Sequence, residues 1–163
     1  MDLALVLGKT KLFEGVGHSD LEEIARFTER LIYESEYGQD KIVIAEQDPS
    51  GPDLYLILSG EVSLNKKESR STVSLRKKIV SLEEEVYGEI AWILQQKHLS
   101  NVYTSTRVVL LRIDGVRLEQ FLLNRPELAA VFWRRIAHTI AKRVTWTFRK
   151  YRSTVEWDHV FKF

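Results

Sequence analysis

Tyr87-Gly88-Glu89-Ile90-Ala91-Trp92-Ile93-Leu94 reads as a tight turn running into one short apolar helix. Gly88 can take a backbone conformation closed to residues with a Cβ. The amides that open the following helical turn lack intrahelical partners and point outward, where they suit an anion. Glu89 puts an acceptor at the same mouth. A ligand held there would offer negative charge to the amides and a hydroxyl to the carboxylate, which describes a sugar phosphate. The same pattern also describes an ordinary helix cap, so the stretch alone leaves both uses open.

Outward from it, short β-branched and aromatic runs lie on either side. Upstream, strands are expected at Leu31–Tyr37 and Lys41–Ala45, joined by a turn at Gly38, and at Leu54–Gly60 and Val62–Asn65. Glu46 to Asp53 is dense in turn residues. Gly60 and Glu61 mark a bend or bulge. Lys66 to Ser71 reads as a hairpin loop and Thr72 to Leu82 as a further, broken strand before the acidic turn Glu83-Glu84-Glu85. Downstream, Gln95 to His98 is a connecting loop, and Asn101–Ser105 and Val108–Ile113 are two more strands.

Helices occupy both ends. Residues 1–12 carry Leu3, Leu5, Val6 and Leu12 on one face, and Phe13 to Gly17 is a turn. Ser19 or Asp20 caps a helix near 20–29, Ser19 forming a capping box with Glu22, and its inner side is Leu21, Ile24, Ala25 and Phe27. Asp114 starts a helix with Val116, Leu118, Phe121 and Leu122 inward. Asn124-Arg125 breaks it, and Pro126 suits the first turn of a last helix reaching about Ser153. There Leu128, Phe132, Ile136, Ile140, Val144 and Phe148 recur every fourth residue, with Val131 and Ala137 beside them, as a predicted buried stripe. The tail holds Trp157, Phe161 and Phe163. Strands segregated from helices imply an α+β domain, with about eight short strands forming a sandwich or small barrel.

Composition narrows the classes. A chain of 163 residues, 44% hydrophobic and 29% charged, has the makeup of one soluble globular domain spanning 1–163. It has no long apolar run to span a bilayer and no basic leader, so neither membrane nor export is expected. The absence of cysteine removes disulfides and thiolate metal sites and fits a reducing, cytoplasmic setting. Net charge is only +1, but Glu14 to Asp53 holds eleven acids against Arg26, Arg30 and Lys41. Leu128 to Val155 holds none, against seven arginines and lysines. Opposite potentials at the two ends of the domain follow. Gly8-Lys9-Thr10 lacks the earlier glycine of a phosphate loop, because Leu3 stands there. Gly15-Val16-Gly17 lacks the third glycine of a dinucleotide turn. His18, His98, His138 and His159 have no metal-ligand spacing. No nucleophile elbow or carboxylate pair argues for catalysis, so no enzyme, metal or cofactor is expected.

From about Lys11 to Val144 the chain resembles the cyclic nucleotide-binding domain family, the β-roll of catabolite activator proteins, protein kinase A regulatory subunits and gated channels. The likeness rests on Leu12-Phe13 and the helix after it, on Glu46-x-Asp48, and on Asp53-Leu54-Tyr55-Leu56-Ile57-Leu58-Ser59-Gly60-Glu61-Val62. Tyr87-Gly88-Glu89-Ile90-Ala91 and the Pro126 that opens the final helix complete it. The resemblance implies an antiparallel β-roll, of the jelly-roll or double-stranded β-helix type, over about 31–113. N-terminal helices precede it and two C-terminal helices follow over about 114–153, the last one long. It also implies a cyclic nucleotide such as cAMP or cGMP at Gly88, Glu89, Ile90 and Ala91, with Glu89 accepting from the ribose hydroxyl. The family's phosphate-pairing Arg falls in register on His98, and the small residue after it on Leu99. Gln47 and Glu84 stand where glycines are usual. Lys97, His98, Leu99 and Ser100 are then the candidate phosphate side. Losing a charge-assisted guanidinium contact, about 1.5–3 kcal/mol per bond, weakens binding roughly ten- to several-hundred-fold.

The last helix admits several uses: packing with a solvated basic face, a homodimer interface as the family implies, or nonspecific phosphate binding. The family's transcription factors carry a helix-turn-helix after this helix. Only about ten residues remain here, so sequence-specific DNA reading is not expected. Two functions stand: a non-catalytic sensor or regulatory domain with weak or altered ligand binding, and a ligand-free scaffold for dimerisation or docking.

Overall fold

The computed structural model describes residues 2–34, 41–44, 52–65, 75–78, 86–98, 101–104 and 106–151. Two four-stranded antiparallel sheets face each other, with helices from both ends of the chain packed beside them. The first sheet holds β1 (Thr28–Tyr33), β8 (Val108–Ile113), β3 (Leu54–Ser59) and β6 (Val86–Tyr87), in that order. The second holds β2 (Lys41–Ile44), β7 (Asn101–Thr104), β4 (Glu61–Asn65) and β5 (Leu75–Lys78). This is the expected α+β β-roll, with eight strands among the described residues.

Strands adjacent in sequence are split between the sheets. β3 passes at Gly60, φ +104°, into β4 of the opposite sheet. β1 and β2, expected as neighbours across Gly38, do not pair with each other. β1 pairs with β8, Leu31 opposite Leu110, and β2 pairs with β7, Lys41 opposite Thr104. A continuous alternation on each strand says which face is buried but not which strand lies alongside. The expected turns at Gly38, Glu46–Gly51, Lys66–Ser71 and Glu83–Glu85, and the tail beyond Tyr151, lie outside the described residues. β3 and β8 are buried on both faces, at Leu54, Tyr55, Leu56 and Ile57 and at Val108, Leu110 and Leu111. One face of this central pair meets the second sheet through Tyr55, Ile57 and Leu110. The other, with Leu54, Leu56 and Leu111, meets the helices.

Those helices are α1 (Leu3–Gly8), a 3-10 turn at Lys11–Phe13, α2 (His18–Ala25), α4 (Gly115–Leu123) and α5 (Pro126–Tyr151). Asp2 caps α1 by accepting from the amides of Ala4 and Leu5. α2 starts earlier than the capping box implies: Gly17 is the cap, and no side chain bonds there. Asp114 caps α4 as expected, accepting from the Arg117 amide at 3.0 Å. Leu118, Phe121 and Leu122 point inward, but Val116 is exposed. Its place in the first turn of α4 turns it away from the core.

α5 departs most from expectation. Phe132 and Ile136 are buried, Leu128 and Ile140 are half-buried, and Val144 and Phe148 are exposed. A four-residue repeat advances about 40° per step around a helix of 3.6 residues per turn. Phe148, four steps beyond Phe132, has therefore rotated about 160° from the core. Three arginines fasten α5 and its root. Arg125 reaches Asp20 and Glu23 of α2, each at 2.7 Å, with its guanidinium over the Phe121 ring. Arg135 donates to the Leu12 carbonyl at 3.0 Å, and Arg143 reaches Glu89. Two acids of the acidic segment, Asp20 and Glu23, are thus neutralised by Arg125, which precedes the acid-free stretch.

Candidate functional site

The site begins where β6 leaves the edge of the first sheet. Val86 and Tyr87 pair with Leu56 and Tyr55 of β3, and the chain then enters α3 (Glu89–Leu94) through Gly88. Gly88 has φ +84°, and a Cβ on it would lie 2.3 Å from the Asp53 carbonyl oxygen and 3.0 Å from His98 Cε1. Both the backbone angle and the crowding demand glycine there. His98 is buried behind this turn, its ring edge-on to Tyr55 with centroids 5.7 Å apart.

Glu89 opens α3 and is 2% exposed. Its Oε1 accepts from Arg143 Nη1 at 2.5 Å, from the far half of α5. The same guanidinium donates to the Val86 carbonyl and lies over the Tyr87 ring, 4.8 Å from its centroid. One arginine thus closes over the carboxylate, the strand before it and the aromatic between them. A carboxylate removed from water is tolerable only with such a partner.

The far end of α3 is bolted to both C-terminal helices by Trp92. Its Nε1–H donates to the Gly115 carbonyl at 2.9 Å. Its ring stacks on Trp133 at 4.7 Å, with 7° between planes, and meets Phe132 edge-on. Gly115 donates to Asp53 Oδ1 at 3.2 Å, so the residue before β3 also enters this junction. These contacts tie α3 to the start of α4 and to α5.

The cyclic nucleotide-binding domain model matches residues 34–125, more than half of the chain. The chain belongs to the cyclic nucleotide-binding domain family. Among solved structures, it is similar to a cyclic nucleotide-binding domain from Methylobacillus flagellatus KT. That match has TM-score 0.73 and 19% identity, covering 94% of this chain and 82% of that one. The sensor domain of a transcriptional regulator from Pseudomonas aeruginosa matches with TM-score 0.64 and 14% identity, covering 86% of this chain and 94% of that one. The regulatory domain of Toxoplasma gondii PKA with cAMP matches with TM-score 0.57 and 19% identity, over 73% of this chain and 42% of that one. At these identities the structures speak for the fold. No curated protein sequence matches the chain. The cyclic nucleotide-binding family is one of regulatory and sensor domains, and cyclic nucleotides such as cAMP are its ligands.

Of the candidate residues, Gly88, Glu89 and His98 are brought together. Ala91 is buried beneath them, and Ile90 and Lys97 face outward. Leu99 and Ser100 lie outside the described residues. Arg143 was not singled out by the sequence, where it is one of seven basic residues in the acid-free stretch Leu128–Val155, 54 positions from Glu89. Trp92 was expected only as part of an apolar helix. Nothing local marks either pairing.

Proposed function

We propose that the chain is a non-catalytic regulatory module whose ligand is a cyclic nucleotide or a similar sugar phosphate, bound weakly, with α5 reporting occupancy. Glu89 is the acceptor for the sugar hydroxyl, at the turn formed by Gly88, Ile90 and Ala91. Lys97 and His98, with Leu99 and Ser100 after them in the sequence, are the candidates for the phosphate side in place of the usual guanidinium. The observation that carries this reading is the Glu89–Arg143 contact: the acceptor is retained, buried, and held by the helix that would report. A ligand hydroxyl that reaches Glu89 must share it with Arg143 or displace it. Ligand affinity and the position of the distal half of α5 are then one equilibrium.

Calorimetric titration with cAMP and with cGMP tests this. Dissociation constants of micromolar or weaker are expected, lost in Glu89→Ala. Nanomolar binding would show that the missing guanidinium was overvalued. No heat and no thermal shift with any cyclic mono- or dinucleotide would leave the ligand-free scaffold. That second reading has its own support, since the chain itself supplies a partner for the Glu89 carboxylate in Arg143.

A further inference from the structure

Past the core-facing residues of α5, two rows run side by side along its outer surface. One is apolar: Trp133, Ala137, Ala141 and Val144 are exposed, Trp133 at 40% and Val144 at 46%. The next is cationic, with Arg134, Lys142 and Arg149 exposed and the exposed His138 among them. A shallow groove of about 370 Å³ on this surface is lined by His138, Ala141, Lys142, Thr145 and Arg149. Small residues at positions 137, 141 and 145 recur at one-turn spacing, which lets another helix approach closely.

We infer that this face of α5 is the docking surface for an amphipathic helix of a partner protein, one with an acidic flank beside its apolar stripe. The apolar row supplies burial and the cationic row supplies register and choice of partner. From Trp133 to Phe148 the face is about 22 Å long, room for a partner helix of about four turns. Charge argues against a second copy. From Leu128 to Val155 there is no acid. The same stretch of a second copy would therefore offer the basic row no carboxylate to pair with. Among the described residues, the acid-rich helix α2 has Leu21 and Ile24 buried and Asp20 and Glu23 committed to Arg125, so it cannot serve as the acidic partner. A lipid surface favours an apolar crest flanked by cations on both sides. Here the cations lie on one side of the apolar row, and the domain body lies on the other.

The test runs without nucleotide and changes only Arg134, Val144 and Arg149, none of which is assigned to the Glu89 pocket, so either idea can fail alone. The probe is a fluorescein-labelled helical peptide of about 16 residues, with a leucine stripe flanked by glutamates. Controls are the same stripe flanked by lysines, the same glutamates with serine in place of leucine, phosphatidylserine vesicles and a DNA duplex. Anisotropy is expected to show saturable binding of the first peptide only. Arg134→Glu combined with Arg149→Glu should weaken it roughly tenfold or more, and so should Val144→Asp, each with an unchanged melting curve. Equal binding of the lysine-flanked or serine peptide overturns the inference. So does tighter binding of vesicles or DNA, indifference to Val144→Asp, or a dimer by light scattering that Val144→Asp splits into monomers.

Discussion

Replacing Arg143 by alanine removes the partner of a carboxylate that is 2% exposed. Two bonds are lost, a charge-assisted one to Glu89 and one to the Val86 carbonyl. Breaking a fully buried pair from one side costs about 3–5 kcal/mol. The Arg143 side chain is 33% exposed, which lets water reach its end of the pair. The expected loss is therefore nearer 2–3 kcal/mol, the range for a hydrogen bond to a charged group plus the desolvation of what remains. At about 2–4 °C per kcal/mol for a chain of this size, the melting point should fall roughly 4–12 °C. Glu89→Gln should cost less, about 1 kcal/mol, because the freed guanidinium can turn to solvent whereas the freed carboxylate cannot. Measured by urea unfolding, the double variant should be more stable than the sum of the two losses implies, a coupling of about 1 kcal/mol or more. If Arg143→Ala costs under about 0.5 kcal/mol and the two changes simply add, the contact does not hold in solution. The coupling of α5 to the pocket then fails with it.

Gly88→Ala should destabilise by about 2 kcal/mol or more, read from the urea midpoint, because it adds left-handed strain to an overlap with the Asp53 carbonyl. The rotation of α5 away from the core predicts unequal costs along one apparent stripe. Ile136→Ala should lose about 2–4 kcal/mol, while Val144→Ala should stay within about 0.5 kcal/mol of the parent.

Much of the architecture was legible because it rests on local chemistry. The β3 run Leu54–Ser59, the Gly88 turn, the Asp114 cap and the Pro126 start are short-range signals, and each stands where expected. What was not legible depends on distance. That β1 lies beside β8 and not β2 is a matter of topology. Val144 and Phe148 continue an arithmetic pattern that the helix itself rotates out of the core. Within the site, the Gly-Glu turn was readable from its residue types. The guanidinium that covers it comes from a stretch, Leu128–Val155, where seven basic residues look alike until the fold selects one.

The helical layer is assembled from the beginning and the end of the described chain together. Phe13 packs on Phe132 at 5.7 Å, the Leu12 carbonyl accepts from Arg135, and Asp20 and Glu23 grip Arg125. Residues 12 to 23 therefore serve as the foundation on which the near half of α5 stands. A fusion or crosslink that disturbs the first two dozen residues would tilt that support and loosen Arg143 at the opposite end, without touching a single residue of the pocket.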